Sequence, residues 1–137
     1  MCLVDGKRYS FASSGKPGPV SIGSVSAARI ANTRLFASFT PTAPETPLGG
    51  GLFDPVGSIK SVKTSADSAA FANSFIAAFE IGTVTLASAT VDNEGVLFGV
   101  IADPTGSIKS VKLKSPPFEW NDAGAADQGL QDFHVVK

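Results

Sequence analysis

A ten-residue segment occurs twice in this chain, and that repetition constrains the fold more than any other feature. Asp54-Pro55-Val56-Gly57-Ser58-Ile59-Lys60-Ser61-Val62-Lys63 returns as Asp103-Pro104-Thr105-Gly106-Ser107-Ile108-Lys109-Ser110-Val111-Lys112, matching at nine of ten positions with an offset of 49. Two looser copies, Ile22-Gly23-Ser24-Val25-Ser26-Ala27 and Ile81-Gly82-Thr83-Val84-Thr85-Leu86, complete a series. Aligned on Gly23, Gly57, Gly82 and Gly106, the copies are spaced by 34, 25 and 24 residues. An asparagine opens a second, mostly apolar element after each of the first three copies, at Asn32, Asn73 and Asn93.

A unit of about 24 residues is too short for helix-pair repeats of about 33 or more, but it suits one rung of a β-solenoid. Segments such as Gly82–Val91 are rich in β-branched residues and lack helical periodicity. Each unit has an apolar face it cannot bury alone, so units must stack. Asparagine tolerates left-handed backbone at the turns, and equivalent asparagines on successive rungs can form a hydrogen-bonded ladder. The fold expected is all-β, a solenoid of about four rungs over residues 21–115. Residues 1–20 form an N-terminal cap or a disordered segment, and residues 116–137 a C-terminal cap or tail. One alternative stays open within this frame: Ser65–Phe79 is Ala-rich and carries Phe71, Phe75, Ile76 and Phe79 at helical spacing. The Pro- and Gly-rich stretch from Thr40 to Phe53 reads as a long loop projecting from the first rung.

The rung pattern, carried by Gly57–Lys63, Asn73–Ala77 and Gly106–Lys112, resembles that of large secreted or surface β-helix proteins of environmental, planctomycete-like bacteria. The resemblance covers roughly residues 20 to 115. It implies a right-handed parallel β-helix and an exported protein, located outside the cell or at its surface as part of a longer chain. It carries no catalytic residue with it.

The remaining candidates come from the residues themselves. A net charge of −1, from 11 basic and 12 acidic residues, provides no basic field for nucleic acid. No stretch is apolar for long enough to make a membrane helix, and residues 1–14 hold no apolar run of signal-peptide length. Cys2 is the single cysteine, so no disulfide can form within the chain. His134, the single histidine, has no Gly-x-Ser-x-Gly elbow to serve. Asp54 and Asp103 share a repeat position, with Glu80 in the rung between. As a column these three carboxylates would bind calcium through oxygen ligands; as residues preceding proline, the two aspartates simply start turns. Lys60 and Lys109 are ligand-binding candidates beside that column, and Trp120 is either a sugar-stacking edge or a cover for the last rung. Two functions follow: a structural or adhesive module contacting carbohydrate or a cell surface, or a calcium-dependent hydrolase or lyase acting on an extracellular polysaccharide, ester or lactone. Strand edges left open at the ends of a short stack favour an end-to-end homodimer, unless the termini cover them.

Overall fold

The computed structural model describes residues 2–4, 7–9 and 21–137. Along the chain its strands are β1 (Cys2–Val4), β2 (Lys7–Tyr9), β3 (Ser21–Ala27), β4 (Ile30–Ala31), β5 (Arg34–Ala37), β6 (Phe39–Pro41) and β7 (Gly51–Phe53). There follow β8 (Ser58–Thr64), β9 (Phe71–Ala72), β10 (Phe75–Leu86), β11 (Phe98–Leu113), β12 (Phe118–Glu119), β13 (Asp127–Leu130) and β14 (Phe133–Val136). A single 3-10 turn, Pro47–Gly49, is the sole helical piece among the described residues. The protein is therefore all-β, as its repeats predict.

The Ala-rich segment that allowed a helix contains β9 and the start of β10. Parallel pairing decides the conflict. Phe75–Ala78 bonds to β5 on one side and β11 on the other, and all four residues are buried. Tertiary packing on both flanks outweighs the intrinsic helix preference of alanine.

Strands β3, β8, β10 and β11 lie side by side in chain order, and all three pairs are parallel. Their register aligns Ile22, Ile59, Ile81 and Ile108 in one column and Val25, Val62, Val84 and Val111 in another. In β8, β10 and β11 these residues are buried. A second set, β5, β10, β11 and β14, is also parallel and aligns Leu35, Ile76, Val100 and Val135, every one fully buried. Pairing of β4 with β9 sets Ile30 against Phe71. Phe71, Phe98, Phe118 and Phe133 meet in a cluster whose neighbouring ring centroids lie 5.6–6.1 Å apart.

The sheets are mixed, because antiparallel strands flank this parallel body. β1 pairs with β2 and β4, β6 with β7, β12 with β11 and β13 with β14. The C-terminal residues thus lie along β11, with Trp120 buried beside them. The rest of residues 1–20 falls outside the described residues, and with it most of the expected N-terminal cap.

Register corrects the alignment drawn from the glycines. Matching all four glycines would set Gly23 opposite Gly57. Instead, Gly23 and Gly82 fall level with Lys60 and Lys109, while Gly57 precedes β8 and Gly106, within β11, is passed over by the pairing with β10. The cause is the inward pair: Ile and Val, three residues apart in every copy, must all face the core, and any slip would bury Ser or Lys instead.

The third asparagine element is also displaced. By analogy with Asn73, a strand would start near Gly95. Phe75 in fact pairs with Gly99, so a loop holds Val96 and Leu97 exposed before β11 begins. Asp132 fixes that loop, accepting hydrogen bonds from the Asn93 and Gly95 amides at 2.6 and 3.0 Å.

Candidate functional site

Between each inward Ile and the next paired residue, one residue is skipped by the ladder. In β3, β8, β10 and β11 these residues are Gly23, Lys60, Gly82 and Lys109. They form a row across the outer face in which a lysine alternates with a glycine. A groove of about 730 Å³ runs along this row. Ser21, Ser58, Ser107, Thr83 and Glu80 contribute to its wall beside the two lysines.

The two lysines are exposed and separated by β10, which at the usual strand spacing puts their backbones about 10 Å apart. Neither ammonium group, nor the Glu80 carboxylate, has an ion-pair partner among the described residues. The space between the lysines is kept low by Gly82. A Cβ there would lie 2.0 Å from the Lys60 carbonyl oxygen, so the backbone packs too closely at this point to carry a side chain. The outer wall is tied by hydroxyls, since Ser58 donates to Ser21 at 3.1 Å and Ser61 to Ser24 at 3.0 Å.

The carboxylates expected to form a calcium column are not brought together. Glu80 pairs with Ser58 and Ser107, not with either aspartate. Asp54 and Asp103 close their own turns. The Asp54 Oδ1 accepts from the Val56 amide at 3.1 Å, and the Asp103 Oδ1 accepts from the Thr105 amide at 2.8 Å and its hydroxyl at 2.6 Å. Among the described residues, no group of three or more His, Cys, Asp or Glu side chains is arranged to hold a metal ion. Between Ala78 and Glu80 the ladder skips only Phe79, whereas the matching point of β11 accommodates Asp103–Gly106. Asp-Pro-x-Gly is thus a turn inserted at the same corner on alternate passes of the chain, which explains the 49-residue offset.

Trp120 is 8% exposed, and its indole Nε1 has no hydrogen-bond partner among the described residues. It covers the core and does not present a stacking surface. His134 sits in the β13–β14 hairpin, with Nδ1 2.5 Å from an Asp127 carboxylate oxygen and Nε2 3.0 Å from the Gln131 carbonyl oxygen. Both of its ring nitrogens face acceptors, and neither faces a serine.

A second hollow, of about 440 Å³, escaped sequence reasoning. Asn32, Asn73, Arg34 and Glu45 line it. Arg34 donates to the Pro44 carbonyl at 2.5 Å and lies 5.8 Å from the Phe75 ring centroid. Glu45 belongs to the Pro-rich excursion between β6 and β7, and no periodicity indicated where that loop would fold back. Compared with protein-family models, curated proteins and solved structures, the chain matches none.

Proposed function

We propose that this chain is a structural or adhesive module: a short right-handed parallel β-helix from an exported bacterial protein, presenting its outer face to carbohydrate or a cell surface. One observation carries the reading. Asparagine side chains from successive passes of the chain bond to each other, although Asn93 comes from the displaced loop before β11. Asn73 donates to Asn32 at 2.8 Å, and Asn93 donates to Asn73 at 3.1 Å. Such a ladder stabilises identical residues repeated at strand spacing, the arrangement a solenoid produces. The bacterial and exported origin rests on the resemblance of the rungs. The extended outer groove supports the adhesive part, because repeat proteins expose continuous surfaces suited to extended ligands. The uncharged outer edge of β3 provides a place for a second copy to join.

The test is retention of the whole chain on insoluble polysaccharides and on fixed bacterial cells, scored by depletion against a β-rich control protein of similar size and charge. Retention above the control on at least one surface is expected. Depletion equal to the control on every surface would overturn the adhesive reading.

A further inference from the structure

We infer that the groove along Gly23, Lys60, Gly82 and Lys109 binds an extended acidic glycan, a polyuronate, with Lys60 and Lys109 each engaging a carboxylate. This inference rests on the adhesive reading and names the ligand class of its site.

Four observations lead to it. First, two exposed ammonium groups share one groove and have no ion-pair partner among the described residues. An unpaired lysine provides a compact charge with three donors, suited to a carboxylate or phosphate. Second, the lysines recur on alternate strands, about 10 Å apart at ordinary strand spacing. A regular row of cations matches a polymer with regularly spaced anions, and each engaged lysine raises the effective concentration of the ligand at the next.

Third, the other polar groups of the wall are hydroxyls and one carboxylate, set beside the apolar edges of Ile22, Ile59 and Ile81. Ser58, Thr83 and Ser107 can donate or accept, and Glu80 can only accept. A carboxylate beside two lysines disfavours a ligand that is anionic throughout. It favours one whose anionic groups alternate with hydroxyl donors, as in a uronic acid chain. Among the described residues the wall also contains no aromatic ring, so they offer no platform for the base stacking that holds single-stranded nucleic acid. Fourth, Gly82 leaves the floor between the lysines without a side chain. A sugar ring can therefore approach the backbone between the two charges.

The experiment measures binding of the whole chain to soluble polygalacturonate, dextran and dextran sulfate by affinity electrophoresis. The proteins are the native chain, K60A/K109A, and K63A/K112A, with folding of each checked by circular dichroism. Lys63 and Lys112 are exposed on the same two strands but lie outside the groove wall, so the second variant loses the same charge elsewhere. Polygalacturonate should bind the native chain and K63A/K112A within about twofold of each other, while K60A/K109A binds about tenfold or more weakly, the loss expected when charge-assisted contacts are removed. Equal weakening in both variants, or equally tight binding of dextran sulfate, would overturn the site in favour of diffuse electrostatic attraction. Dextran bound as well as polygalacturonate, with no effect of the lysines, would overturn the acidic ligand while the adhesive reading stands. A native chain that binds none of the polymers overturns this inference, and retention on cells then decides separately whether the adhesive reading falls with it.

Discussion

Asn73 has two roles that substitution can separate. Its backbone is left-handed, with φ at 43°, and its amide is the middle member of the asparagine ladder. Glycine adopts positive φ without strain but cannot join the ladder, whereas alanine loses both roles. Left-handed backbone costs an ordinary residue roughly 1–2 kcal/mol, and an exposed hydrogen bond is worth about 0.5–1.5 kcal/mol. Urea unfolding should therefore show Asn73→Gly destabilised by about 1 kcal/mol and Asn73→Ala by about 2–3 kcal/mol. If Asn73→Gly unfolds with the native midpoint, the ladder contributes nothing and asparagine is present for its backbone alone. This residue was readable in advance, since its recurrence before an apolar run implied both the turn and the ladder. Trp120 was not readable in the same way. A tryptophan among acids and prolines fits an exposed sugar platform as well as a cover, and only the position of β12 against β11 separates them.

Among the strands, what the sequence concealed was register. Strong identity between two segments aligned them correctly two passes apart, but glycine is a poor guide to register because it has no side chain to place inside or outside. Gly23 and Gly82 occupy equivalent positions beside lysines, yet their surroundings differ. A Cβ at Gly23, on the outermost described strand of its sheet, meets nothing within 4 Å among the described residues; at Gly82, between two strands, it meets the Lys60 carbonyl oxygen at 2.0 Å. Gly23→Ala should change stability by less than about 0.5 kcal/mol, as surface substitutions usually do. Gly82→Ala forces a backbone shift and should cost about 1–3 kcal/mol, the range for overpacking. Thermal unfolding of the pair checks this, and equal melting temperatures would mean that the corner between Ile81 and Thr83 is not held closely by β8. The lysine row follows from the same logic. Both lysines stood out in the sequence as candidates, but the glycine between them became part of the groove only when the inward Ile and Val columns set the register.

For the whole molecule, the two edges of the largest sheet differ. At the C-terminal end, β12 and β14 lie along β11, and the outermost strand, β13, is four residues long and begins with Asp127. Short, charged edges of this kind resist pairing with another chain. At the other end β3 pairs with β8 and with no other described strand. It spans seven residues, SIGSVSA, without a charge. Its inward residues Ile22 and Val25 are only partly buried, whereas Ile59 and Val62 of the next strand are each 1% exposed. A single open apolar edge among the described strands favours a closed pair over a filament, because a two-fold arrangement lets each β3 satisfy the other and leaves nothing to propagate. Light scattering at rising concentration should therefore approach the mass of two chains and stop there. Ser24→Lys, which places a charge on the exposed face of that edge strand, should hold the protein at the mass of one chain with its circular dichroism unchanged. A native chain that stays monomeric at high concentration would show that the β3 edge is protected. A mass rising past two chains would show instead that β13 also accepts a partner, and that the assembly grows as a fibre along the stack.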